Sequence, residues 1–343
     1  MKAYRMTRAQ AAPSLCEVEI REPGPGEVLV RIGGAGVCHS DLHVLDAPEG
    51  ALPYVLPFTL GHENAGWVER VGAGVSGWDE GAPVMVYSVW GCGRCATCRV
   101  GMENYCEKAI GFVGCGLGID GGMASHMIVP SSRFLLPIDG LDPRTAAPLT
   151  DAGLTTYHAV RRSLSLLIPG STVVVIGVGG LGQMAIQVVK AISPSRVIAI
   201  DTSPEKLAIA RRLGADAVAA DARATEHVRE LTRGAGAELV LDVVGSEATL
   251  ALAVSVVRRL GAITLVGIAG GSYPFGYMTV PTEVSMASTF YGSIPELADV
   301  IALAAQGELN AEVETFPLEK APEAYERLRQ GTIRGRAVVT PGS

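Results

Sequence analysis

Along the first 150 or so residues, apolar positions recur in short runs broken by glycine and proline, as at 27–32, 66–71 and 83–87. Runs of this length between turn-forming segments predict the short strands of a mostly antiparallel, barrel-like β domain with long functional loops. From about residue 152 the period changes. Apolar strands at 172–176, 197–200, 217–220, 238–243 and 262–266 alternate with helical patterns near 181–191, 204–213 and 247–259. That alternation predicts an α/β, doubly wound parallel sheet. Residues 225–231 are short and read as a helix or a turn-rich connector. Near 291 the pattern changes again, to a helix over 295–305, another around 325–328 and a last strand at 336–340. This tail is assigned back to the first domain. Residues 1–152 and 291–343 then form one domain and 153–290 an inserted one, with the cleft between them as the expected active site.

Length agrees with two domains, because 343 residues exceed what one hydrophobic core usually supports. Hydrophobic residues at 48% and 42 glycines suit buried parallel strands joined by tight turns. A formal charge of −7 disfavours nucleic acid and anionic membrane surfaces as partners and leaves a small molecule as the expected ligand. The first eight residues lack the apolar core of a secretory signal, and no apolar run reaches about 18 residues, so the expected location is cytoplasmic, with no membrane partner.

Charge and length leave the chemistry to particular residues. Cys92, Cys95, Cys98 and Cys106 form C-x2-C-x2-C-x7-C. Four thiolates at that spacing close a tetrahedral shell around zinc and leave no open position, so this lobe is expected to be structural; an iron–sulfur cluster is the alternative. A second group begins at Gly36-Val37-Cys38-His39-Ser40-Asp41-Leu42-His43 and continues at Gly61-His62-Glu63. Cys38 and His62 supply a thiolate and an imidazole for a catalytic zinc, which needs about three protein ligands and one open site. Asp151 is the best candidate for the third. Glu63 competes with it, although neighbouring side chains on an extended segment point opposite ways. Asp41 and Glu63 are also suited to orienting an imidazole from behind or tuning the metal's charge. Cys16, Cys115, His126, His158 and His227 read as ordinary structure.

The residues 173–176 run into Gly177-Val178-Gly179-Gly180-Leu181-Gly182, and a helical pattern follows. A G-x-G-x-x-G between strand and helix lets the backbone approach a pyrophosphate seated at the helix N-terminus. Asp201, 19 residues after Gly182, ends the next strand, where a carboxylate accepts from a ribose and repels a 2′-phosphate. NAD is therefore expected over NADP, with Lys206 leaving room for weak NADP use.

Taken together, Gly36 to Asp41, Gly61-His62-Glu63, the four-cysteine lobe and Gly177 to Gly182 make the chain resemble the zinc-dependent medium-chain alcohol dehydrogenases over essentially its full length. It is most similar to bacterial secondary-alcohol dehydrogenases, in which an Asp stands where animal enzymes have a Cys as third zinc ligand. The resemblance implies a GroES-like β-barrel catalytic domain, a Rossmann domain, two zinc ions per subunit and NAD. It implies that Ser40 receives the alcohol proton and His43 passes it on through the nicotinamide ribose. His39 and Arg336 would meet the pyrophosphate, and Val244 with the backbone of Val266-Gly267-Ile268 would cradle the nicotinamide. Tyr54, Trp90, Leu117, Phe290 and Tyr291 are pocket candidates, which points to medium-sized hydrophobic alcohols and ketones. A homotetramer, or alternatively a homodimer, is the expected assembly. The rival readings are a polyol, sugar or aldehyde-type dehydrogenase, a zinc-free quinone-reductase-like enzyme, and a non-catalytic NAD(H) sensor, which would have no use for Ser40 and His43.

Overall fold

The computed structural model describes residues 1–109, 114–138 and 140–342. The chain divides into two compact units. The first comprises Met1–Asp151, Ser293–Ala305 and Ala311–Ser343; the second comprises Ala152–Gly292 and Gln306–Asn310.

The first unit is built on a seven-stranded sheet. Its order is Leu135–Pro137, Pro83–Val86, Glu63–Val71, Val28–Val37, Arg336–Thr340 and Val313–Pro317, with His126–Val129 also paired to Val28–Val37. The pairings are antiparallel except that of the last two strands. Val28–Val37 is the longest strand and nearly all buried, because both of its edges are paired. Its end, Val37, lies opposite Ala337, so the C-terminal strand sits next to the segment that leads into Cys38. A smaller sheet joins Lys2–Met6 to Ser14–Glu17 and Phe58–Thr59. The segment after Cys38, one of those expected in the long functional loops, is a helix instead, His39–Asp46, begun where the Cys38 N–H donates to Asp41 Oδ2 at 3.1 Å and satisfies one helix-start donor.

The second unit holds a six-stranded parallel sheet in the order Asp216–Ala219, Arg196–Asp201, Thr172–Ile176, Ala237–Asp242, Val257–Leu265 and Ser285–Ser288. This doubly wound order places the first strand centrally, and all five of its residues are buried. Val174, Ile176, Ile198, Ile200, Val240 and Ile263 meet in its core. Residues 225–231 lie in a helix, Ala224–Leu231, that buries Val228. The helix expected over 247–259 ends at Val256. Val257 already pairs with Ala237, and Leu260 adopts φ +62°, so the chain has entered the sheet by then. No helix among the described residues is long and apolar enough to cross a membrane.

Candidate active site

Four donors converge in the first unit. Ligand atoms of Cys38, His62, Glu63 and Asp151 all lie within 4.8 Å of one another. Cys38 lies between the strand Val28–Val37 and the helix, which it caps; His62 follows Gly61, whose φ of +94° turns the chain just before it. Glu63 points into the same pocket as His62, against the expected alternation. Its partner across the sheet is Gly36, and a Cβ at Gly36 would occupy the place of the Glu63 carboxylate. The hydroxyl of Ser88 donates to the His62 carbonyl and helps hold that turn.

Spacing within the pocket suits a tetrahedral metal. Cys38 Sγ is 3.5 Å and His62 Nε2 3.7 Å from Asp151 Oδ2. Ligands bonded at 2.0–2.3 Å to a tetrahedral zinc stand about 3.3–3.8 Å apart. Asp41 lies behind them, fully buried, with Oδ1 2.8 Å from His62 Nδ1, which leaves Nε2 facing the other donors. The phenol of Tyr325 donates to Asp41 Oδ2 at 2.9 Å. Arg336 pairs through two nitrogens with Glu63 and donates to Asp151 Oδ2 at 3.2 Å. The guanidinium is thus buried among carboxylates in this pocket, which is a different setting from the pyrophosphate contact expected by resemblance.

Burying this many carboxylates demands positive charge. Burial by itself would depress the His62 imidazole, yet Asp41, Asp151 and Cys38 hold it well above its ordinary value. Burial likewise works to raise Asp151, but the His62 hydrogen bond and charge, with Arg336, hold it well below the usual carboxylate range. Glu63 is pushed up to about 7 by burial, against the pull of Arg336. Arg336 is therefore the fixed counter-charge of the pocket, and a metal cation held by Cys38, His62 and Asp151 would supply the rest.

Ser40 and His43 stand three apart on the helix, hence on one face. Ser40 Oγ lies 3.6 Å from Cys38 Sγ, whereas His43 and His39 are exposed. The ring of Tyr54 packs edge-on to Phe58 at 5.7 Å; burial raises its phenol, which also feels the charges of His62 and Asp41. Leu117 is half-buried in the turn before Gly118, where an added Cβ would strike Tyr54. Trp90 instead stacks on Phe134 and donates to the Tyr87 carbonyl at 3.0 Å. Phe290 and Tyr291 belong to the second unit, their rings 6.4 Å apart.

The sulfurs of Cys92, Cys95, Cys98 and Cys106 form a second cluster within 4.8 Å. Backbone N–H groups of Cys92 and Lys108 point at Cys106 Sγ at 3.3 and 3.4 Å. Thr97 and backbone donors draw the Cys95 thiol down to about 5. Such donors favour thiolates, the form that binds metal.

In the second unit, Gly177 has φ +94° and no atom lies within 4 Å of where a Gly179 Cβ would stand, so the loop is open to a ligand's close approach. Gly180, Leu181 and Gly182 begin the helix Gly180–Ile192, which has no side-chain cap. A pyrophosphate fits those free donors. Asp201 accepts from Val178 N at 2.7 Å and Ser203 N at 2.9 Å, which fixes its carboxylate beside the loop. Asp242, which sequence reasoning passed over, ties together the two segments assigned to the nicotinamide. Its Oδ1 accepts from Val244 and Gly245, and its carbonyl from Val266 and Gly267. Val244 and Ile268 are left exposed above it. An acidic residue at the C-terminal end of a parallel strand was the available signal.

Residues 24–140 match the alcohol dehydrogenase GroES-like domain family and residues 180–306 the zinc-binding dehydrogenase family. The chain belongs to the zinc-type medium-chain alcohol dehydrogenases. It is 36% identical to an NAD-dependent alcohol dehydrogenase of Sulfurisphaera tokodaii, over 99% of this chain and 100% of that one. It is also 36% identical to a D-arabinose 1-dehydrogenase (NADP(+)) of Saccharolobus solfataricus, over 99% and 97%. The crystal structure of the Aeropyrum pernix alcohol dehydrogenase superposes with a TM-score of 0.92 at 38% identity, covering 99% of this chain and all of the other. For an alcohol dehydrogenase, the GroES-like domain accounts for the β unit with its metal pocket, and the parallel-sheet unit is the Rossmann fold.

Proposed function

We propose that this alcohol dehydrogenase uses zinc and NAD to oxidise secondary, medium-sized, hydrophobic alcohols reversibly to ketones, by hydride transfer to the nicotinamide. The reading is carried by the pocket in which Cys38, His62 and Asp151 converge at zinc-ligand spacing beside Ser40. Zinc bound there supplies the Lewis acidity that makes loss of a hydroxyl proton feasible near neutral pH. Ser40 takes that proton at its Oγ. His43, one turn on and exposed, passes it towards solvent. Asp41 holds His62 in orientation, and Tyr54 with Leu117 supplies apolar surface that keeps water away. An oxygen donor at Asp151 leaves the metal more electrophilic than a second thiolate would. The Gly177–Gly182 loop seats the pyrophosphate of NAD, and Asp201 accepts from the adenosine ribose and disfavours NADP.

Sugar or polyol oxidation is the second reading, favoured by the 36% identity to the D-arabinose 1-dehydrogenase. Metal analysis coupled to an NAD-reduction screen over primary alcohols, secondary alcohols and polyols separates them. The expected result is two zinc ions per subunit and the highest kcat/KM on secondary alcohols; reduction of NAD by polyols alone would overturn the substrate assignment. The Asp201→Gly variant is expected to accept NADP and NAD more equally, and an unchanged cofactor ratio would remove Asp201 from the ribose.

A further inference from the structure

Besides Arg336, one phenol ties the metal pocket to a distant part of the chain. Tyr325 lies on the helix Ala321–Arg329, 284 residues beyond Asp41, and its hydroxyl donates to Asp41 Oδ2 at 2.9 Å. The same oxygen accepts from Cys38 N at 3.1 Å, and the other carboxylate oxygen holds His62 Nδ1 at 2.8 Å. Asp41 thus faces three donors while fully shielded from water. The Cys38 N–H steadies its position along the chain. The phenol arrives from another element and resists rotation of the carboxylate plane, on which the direction of the His62 hydrogen bond depends.

Tyr325 is well fitted to hold that position. It is buried at 5% exposure, and its ring stacks on Tyr4 with centroids 5.8 Å apart. Its hydroxyl also lies 3.4 Å from the sulfur of Met123. A buried aromatic side chain stacked in this way has little freedom to follow a moving carboxylate, so it constrains it instead. An unionised phenol is a donor at any working pH and adds no charge to a crowded pocket.

We propose that Tyr325 is a positioning residue of the metal centre: it locks Asp41 so that Asp41 keeps the His62 imidazole in the tautomer and orientation that present Nε2 to the metal. This role rests on the reading of Cys38, His62 and Asp151 as zinc ligands. Groups that touch a ligand directly alter metal affinity about 10- to 100-fold when removed. Tyr325 acts one bond further out, so its loss is expected to speed metal release about 3- to 10-fold.

The test uses the full-length, zinc-loaded protein and Tyr325→Phe, which removes one oxygen from an otherwise unchanged ring. A chromogenic chelator reads metal release from each site, and the visible absorption of the cobalt-substituted protein reads the ligand field. The expected result is faster release from the Cys38 site, a shifted cobalt spectrum and unchanged release from the four-cysteine lobe. In an Asp41→Asn background, Tyr325→Phe is expected to change release by less than about twofold, since the coupling partner is gone. Wild-type release and an unshifted spectrum in Tyr325→Phe would overturn the proposal, as would an equal effect in both backgrounds. A wild-type protein that binds metal only at the four cysteines would overturn the zinc reading itself, and with it this role.

Discussion

The two metal-competent clusters are assembled by opposite routes. Cys92, Cys95, Cys98 and Cys106 fall within 15 residues, in a segment whose regular structure is the four-residue helix Ala96–Arg99 and a three-residue turn at Glu103–Tyr105. Such a segment has little regular structure of its own, so its order is expected to depend on what the thiolates bind. Cys38, His62 and Asp151 instead span 114 residues and are fixed by a paired, buried sheet, with Tyr325 and Arg336 closing in from the chain's other end. There the scaffold exists first and the donors are imposed by it. One cluster is thus local in sequence, and the other is assembled by the fold.

That contrast can be tested from its largest expected consequence downwards. Cys38→Ala is expected to lower NAD reduction by about three orders of magnitude or more while NADH still binds by fluorescence titration, because several kcal/mol of transition-state stabilisation leave with the metal. Turnover within tenfold of wild type in a metal-counted sample would make the pocket non-catalytic. Cys95→Ala is expected to cost about 4 kcal/mol or more of stability, with one metal fewer per subunit, where Cys38→Ala costs much less. Thermal unfolding of the two variants side by side decides the matter, and equal losses would erase the distinction. Asp41→Asn is expected to weaken metal binding at the Cys38 site about 10- to 100-fold in a chelator competition, leaving the cysteine lobe untouched. Asp242→Asn serves as the control outside both clusters. Both metals should stay, and NADH affinity should fall by about 1 kcal/mol, the worth of one weakened hydrogen bond; metal loss would tie the clusters to the second unit.

The same contrast governs what could be read from the chain in advance. The four cysteines, the Gly177 loop and the strand–helix alternation are local patterns, each complete within a few residues, and they appear in the structure as the spacing implied. The helix that carries Ser40 and His43 is hard to see in the sequence because it is only eight residues long and its start depends on Asp41 reaching back to the Cys38 amide. Glu63 was misdirected by strand alternation, since the deciding fact is the missing side chain of Gly36 on the neighbouring strand. Arg336 and Tyr325 lie hundreds of residues from their partners, and strand pairing with Val28–Val37 together with packing of the helix Ala321–Arg329 brings them to the pocket.

That last pairing sets a timetable for synthesis. The strand Arg336–Thr340 lies next to Val28–Val37, and everything from Ala152 to Gly292 folds as a separate unit between them. At 5–20 residues per second, roughly 15–60 s pass between translation of Cys38 and of Arg336, 298 residues later. Once Cys106 is made, 230 residues before Arg336, the four-cysteine lobe has every sulfur it needs to capture metal, whereas the Cys38 pocket still lacks Arg336 against its carboxylates and Tyr325 behind Asp41. A nascent chain therefore completes its four-cysteine lobe before its Cys38 pocket.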